Sequence, residues 1–184
     1  MRRILLIAFS VLVAIGLTAS AAFASSPHFK SGSPTCTIAG TASAPTVTCS
    51  GSATGLGNEN LSIDVAATGA GSYTCFNPGG NQAPGQSQVT ASGSSSTPVP
   101  ASATKNGNLT FTTNPATLTA PSTISGTAAG CPNGNWQGRL SSISVSSITL
   151  TIEQPVGTCV LKATISAPSG SSLTGTVTLT PVSC

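Results

Sequence analysis

Leu61-Ser62-Ile63-Asp64-Val65-Ala66-Ala67 decides the fold. Apolar side chains at 61, 63, 65 and 67 alternate with Ser62 and Asp64. That period of two buries one side of an extended strand and leaves the other in solvent. The pattern recurs in both directions along the chain. Cys36 and Ile38, then Val47 and Cys49, carry it upstream; Leu109 with Phe111, and Ile143 with Val145, carry it downstream. Ile148-Leu150-Ile152, Cys159-Leu161-Ala163-Ile165 and Val177-Leu179 follow. Turn formers separate the rows at Gly55 to Asn58, Asn77 to Gly80, Asn106-Gly107 and Asn133-Gly134. No stretch has helical spacing. Between Val145 and Ile148 the apolar phase moves from odd to even positions, which a bulge or a strand crossing between sheets would resolve. The sequence therefore predicts an all-β chain, a disulfide-stapled antiparallel β-sandwich of immunoglobulin-like general architecture. A closed β-barrel is the alternative.

Residues 1–24 read as a signal peptide. Arg2 and Arg3 precede an apolar run from Ile4 to Leu17, and Ala22-Phe23-Ala24 supplies a small-x-small cleavage site. The run is shorter than the about 20 apolar residues a membrane span needs, so the expected product is secreted to the extracellular space with no membrane attachment. Residues 25–34, which hold the single histidine His28, lack periodicity and are expected to form a flexible tail. Residues 35–184 are then one sandwich domain, long enough for a sizeable core. Ser92 to Thr104, rich in Ser, Pro and Ala, is expected to be an edge segment within it, since Pro98 and Pro100 cannot donate ladder hydrogen bonds.

The net charge of +3 owes much to Arg2 and Arg3. Beyond them Lys30, Lys105, Arg139 and Lys162 stand against Glu59, Asp64 and Glu153. Four scattered cations make no phosphate-neutralising patch, which sets nucleic-acid binding aside.

Six cysteines allow many connectivities. Cys36 and Cys49 lie equidistant from the turn at Ala42-Ser43-Ala44-Pro45, and Cys159 and Cys184 flank Ala167 to Ser171. Residues opposite one another in an antiparallel hairpin have Cα atoms about 4.5–5.5 Å apart, within disulfide reach. The expected bonds are Cys36–Cys49, Cys159–Cys184 and, by remainder, Cys75–Cys131. Without a close Cys-x-x-Cys pair or a histidine in the core, a metal site is not expected.

Catalytic groups are scarce, and the expectation is a non-enzyme without a cofactor. His28 in the tail leaves no Ser-His-Asp arrangement, and paired cysteines offer no thiolate. Glu59, Asp64 and Glu153 are the only carboxylates that could serve glycoside hydrolysis; as charges at strand ends they have a plainer role. Recognition chemistry concentrates in two stretches that the third disulfide would join. The first, Tyr73 to Gln86, offers Tyr73, Asn77, Asn81, Gln82 and Gln86; the second, Cys131 to Arg139, offers Asn133, Asn135 and Trp136. Amides beside an aromatic face suit a glycan or peptide. The competing reading puts Trp136 in the core and spends the amides on the loops' own backbone. Asn60-Leu61-Ser62 and Asn108-Leu109-Thr110 are sequons that this composition produces readily by chance.

The runs Gly55-Leu56-Gly57-Asn58, Cys75 to Gln86 and Gly130-Cys131-Pro132-Asn133-Gly134-Asn135-Trp136 resemble a group of small secreted bacterial all-β proteins with paired cysteines. The resemblance implies secretion and an all-β fold and carries no activity over. Size and short-loop disulfides are also similar to those of exported neocarzinostatin-type apoproteins, an analogy of fold alone. The expected function is an extracellular binding or surface protein, with an unknown glycan or protein as partner. The alternative is a secreted inhibitor or defence protein that lays Pro98-Val99-Pro100 in the cleft of an extracellular enzyme.

Overall fold

The computed structural model describes residues 26–30 and 34–184; the signal-peptide segment lies outside the described residues. In chain order the strands are β1 (His28–Phe29), β2 (Thr35–Thr41), β3 (Ala44–Thr54), β4 (Leu61–Phe76), β5 (Gln82–Pro84), β6 (Val89–Val99), β7 (Leu109–Thr112), β8 (Ala116–Thr117), β9 (Thr123–Ser125), β10 (Gln137–Glu153), β11 (Cys159–Ser166), β12 (Thr176–Thr178) and β13 (Thr180–Val182). The described helical content is one 3-10 turn at Ala101–Ala103.

Two antiparallel sheets pack face to face as a β-sandwich. In the smaller sheet β3 is flanked by β1 and β2 on one side and by β7 and β8 on the other, with β12 outside β2. In the larger, β4 and β10 run side by side along nearly their whole length. Outside β10 lie β11 and β13, with β9 at one end; outside β4 lie β5 and β6. The core fills the space between. Cys36, Val47 and Cys49 from the smaller sheet join one cluster with Ile63, Val65, Ile148, Leu150 and Ile152 from the larger. These are the alternating positions read from the sequence.

The phase change in β10 is a bulge. Val145 pairs with Gly69 and Ser147 with Thr68, so Ser146 is the extra residue, and a second bulge falls at Ser141. One unpaired residue moves the inward set from odd to even numbers, so a single strand keeps one face in the core throughout.

Ser92 to Thr104 supplies most of edge strand β6. Its outer edge is shielded rather than open to strand addition. The Asn114 N–H donates to Thr97 Oγ1 (2.8 Å), its Nδ2 to the Ser96 carbonyl (2.9 Å), and Ser95 Oγ donates to the Asn114 carbonyl (2.8 Å). Ser92 also bridges Thr119, which brings the two sheets together at this corner. The approach is so close that a Cβ on Gly93 would collide with the Thr117 carbonyl. On the other side the sheets meet at the Val145–Leu173 bridge and where Ile143 N donates to the Ala42 carbonyl (2.7 Å), but among the described residues no strand ladder joins them, so no barrel closes.

All three disulfides form as expected. Cys36 and Cys49 are direct partners in the β2–β3 ladder, with Cα atoms 4.0 Å apart, and both face the core. Cys159–Cys184 ties down the last residue, but the chain between its ends is not one hairpin. β11 pairs with β13, while the intervening β12 pairs with β2 in the other sheet. Part of the tail expected to be flexible is ordered instead. His28 and Phe29 pair with Thr54 and Ala53, and Phe29 packs on the core. An apolar ring finding an open strand edge outweighs the lack of local periodicity.

Candidate functional site

The larger sheet narrows at one end to four short strand segments in the order β9, β10, β4, β5. Alternation in β4 continues to its last residue, so Tyr73 and Cys75 point inward while Thr74 and Phe76 point outward. Register then builds two rows on the outer face. Thr123, Arg139, Thr74 and Pro84 form one; Ser125, Gln137, Phe76 and Gln82 form the other. Arg139, Gln137, Gln82, Thr123 and Ser125 are exposed, and Thr74 and Phe76 half-buried. Arg139 and Phe76 are diagonal neighbours across the strand pair, and the guanidinium carbon stands 4.6 Å from the ring centroid. This cation–π contact is the one interaction in which the described structure engages the Arg139 side chain.

The reverse side of this end is a small core of its own. Tyr73, Cys75 and Ala129 are buried there, with Ala83, Val89, Ile124, Cys131, Trp136 and Leu140 packed around them. The Cys75–Cys131 bond, with Cα atoms 5.7 Å apart, anchors the segment that covers it. That segment is also held by its backbone. The Ala129 carbonyl accepts from Gln86 and Ser87 (3.0 and 3.1 Å), and Cys131 N donates to Gly126 (2.8 Å). Gly138 permits the contact, since a Cβ there would stand 2.5 Å from the Ala129 Cβ. Tyr73 donates its hydroxyl to the Pro121 carbonyl (2.8 Å), and burial pushes its phenol above its ordinary pKa.

The disulfide thus joins the two stretches singled out in the sequence, but it redistributes their roles. Tyr73 is buried at 3 % exposure and is a core residue, not a ligand contact. Trp136 is half-buried and packs on the inner cluster, which favours the packing reading of that side chain. Asn77 closes its own turn, its Oδ1 accepting from Asn81 N (2.8 Å), and Asn133 Oδ1 accepts from Asn135 N (3.1 Å). Asn81, Gln86, Asn133 and Asn135 are exposed at the rim. Of the sequence candidates only Gln82 stands in the outer rows. Reading Tyr73 to Phe76 and Gln137 to Arg139 as loops hid Phe76, Gln137 and Arg139; continued alternation through both would have placed them on one face.

Elsewhere, the Ser62 hydroxyl lies 3.1 Å from Asp64 Oδ2 and 3.5 Å from Glu153 Oε2, and Glu153 Oε2 also accepts from Gly157 N (2.7 Å). Glu59 stands outside this pair, exposed in the loop before β4. Among the described residues no group of three or more metal-ligating side chains converges. Asn60 Oδ1 accepts from Ala101 N (2.9 Å), a contact between segments distant in sequence, and Asn108 Nδ2 donates to the Asn106 carbonyl (3.0 Å) within its own turn. Val99, the last residue of β6, is half-buried against the core and pairs with Leu61 of β4.

Comparison with protein-family models, with curated proteins and with solved structures returned no match in any of the three. Three disulfides with no free cysteine are typical of extracellular proteins, and among the described residues no helix is long and apolar enough to cross a membrane.

Proposed function

We propose that the protein is exported and works outside the cell as a non-enzymatic glycan-binding domain, docking through the outer face of the larger sheet at its Cys75–Cys131 end. The observation that carries this reading is the registered pair of rows around Phe76 and Arg139. A sugar presents hydroxyls in fixed directions, and bound amides and guanidinium groups meet them with paired donors and acceptors. Gln82 and Gln137 flank Phe76 in one row, and Thr74 and Thr123 flank Arg139 in the next. The Cys75–Cys131 bond ties β4 to the covering segment behind them and holds these groups in place before a ligand arrives, which reduces the ordering cost of binding. Strand addition by a peptide is disfavoured along β6, where Asn114 and Thr119 occupy the outer edge. The inhibitor reading has less support, because Val99 is committed to the core and its ladder rather than displayed.

Binding of the oxidised protein to immobilised polysaccharides tests the proposal. Gln82→Ala and Gln137→Ala each weaken retention severalfold while Asn133→Ala, at the rim, leaves it unchanged. Retention on no polysaccharide, or loss with Asn133→Ala alone, overturns it.

A further inference from the structure

We infer that the glycan bound at this face is acidic, a uronate-type polysaccharide whose carboxylate is received by Arg139. The inference rests on the glycan reading above and adds the ligand's charge.

The argument begins with where the charges fall. Between Ser72 and Thr90, and again between Ala116 and Ser142, Arg139 is the only charged residue. The three acids are placed at the opposite end of the same sheet. Asp64 lies ten residues along β4 from Thr74, the cross-strand partner of Arg139, which corresponds to about 33 Å of extended strand. Glu153 is opposite Ser62, farther still, and Glu59 precedes β4. Lys162 shares that far end, opposite Thr151. An outward guanidinium normally finds a carboxylate on its own surface or is left to water. Here register removes every carboxylate from reach, so Arg139 is an uncompensated cation at the centre of a neutral amide and hydroxyl field.

Geometry supplies the rest. Guanidinium groups present parallel N–H donors that match the two oxygens of a carboxylate, and the pairing is strongest when the donor plane is fixed beforehand. Phe76, half-buried at the end of β4, holds the guanidinium carbon 4.6 Å from its ring centroid. The exposed side chain keeps N–H donors available on the side away from the ring. Thr74 and Thr123, on either side of Arg139, and Gln137 beside Phe76 then meet ring hydroxyls next to the carboxylate. A neutral sugar would use only the second set of contacts.

The test uses the oxidised protein with polygalacturonate and with its methyl ester, which has the same backbone without the charge. The native protein is expected to bind the acid form roughly ten- to a hundredfold more tightly than the ester. Arg139→Gln should abolish that preference, bringing the acid and the ester to equal affinity. Arg139→Lys, which keeps charge but loses the planar fork, should recover only a minor part of it. Circular dichroism and the denaturation midpoint show that each variant is folded, as expected for an exposed side chain. Equal affinity for acid and ester, or an acid preference that survives Arg139→Gln, overturns the inference while leaving the glycan reading intact. Retention of neither polymer, nor of any neutral polysaccharide, defeats the glycan reading itself. Arg139-dependent retention of poly-glutamate without polygalacturonate would overturn the inference in favour of an acidic peptide.

Discussion

Replacing Cys75 and Cys131 together by alanine should destabilise the domain more than removing the Cys159–Cys184 disulfide. In the chain-entropy account a cross-link restricts the unfolded chain by an amount that grows with the logarithm of the loop it closes. The separations are 56, 25 and 13 residues for Cys75–Cys131, Cys159–Cys184 and Cys36–Cys49. These give about 4.2, 3.5 and 2.9 kcal/mol at 25 °C. The structure modifies the series in opposite directions. Cys75 is fully buried beside Tyr73 and Ala129, so its truncation also removes packing, on the order of 1 kcal/mol. Cys184 is exposed, so losing the bond frees few other contacts. The expected cost is therefore about 4–5 kcal/mol for the Cys75/Cys131 variant, a large share of an ordinary domain's stability. Urea unfolding followed by tryptophan fluorescence reads this directly, because Trp136 sits on the affected cluster. With a slope of about 2 kcal/mol per molar, the midpoint should fall by roughly 2 M. A loss under about 1 kcal/mol, or one smaller than that of the Cys159/Cys184 variant, would refute the reasoning. The covering segment would then be held by its backbone hydrogen bonds alone.

Two further outcomes follow from buried polar groups. Gln154, 8 % exposed, accepts from Gly57 N (2.7 Å) and donates to the Gly57 and Glu59 carbonyls (3.0 and 2.9 Å), so it locks the loop before β4 to the end of β10. Gln154→Ala should cost about 2–4 kcal/mol in urea unfolding, with glycan retention unchanged because the site lies at the opposite end of the sheet; a cost below about 0.5 kcal/mol counts against the lock. Tyr73 is the sole tyrosine and its phenol is held above the ordinary value by burial. Its folded form keeps the proton longer than the unfolded chain, so its contribution is complete below about pH 10 and declines as pH rises through the folded value. Above about pH 10 native protein should lose stability more steeply than Tyr73→Phe, measured by midpoint against pH; identical slopes would show that the phenol is not protected.

The six cysteines, the period-two rows and the turn formers were enough to read the fold class and the pairing of all three disulfides. Those signals are local. Alternation depends on neighbours two apart, and hairpin symmetry places Cys36 opposite Cys49 without reference to the rest of the chain. The phase change after Val145 was equally legible, and its bulge at Ser146 shows why the strand runs on. Other features depended on residues distant in sequence. Phe29 looked like part of a tail until the edge of β3 gave it a partner. The Cys159–Cys184 segment looked like a hairpin, yet β12 finds β2 in the opposite sheet. The site shows the same division most clearly. From the sequence Trp136 and Tyr73 are the aromatic residues nearest the amides, and their chemistry suits recognition. Burial against Ala129 and Cys75 turns both inward, because the segment from Gly126 to Cys131 covers that side of the sheet. The outer side is left to Phe76, Gln137 and Arg139, brought into one field by a register between strands some sixty residues apart. Composition and periodicity determined that this is a stapled β-sandwich with few charges. Which face of its narrow end meets solvent was decided only when the chain folded back over the other one.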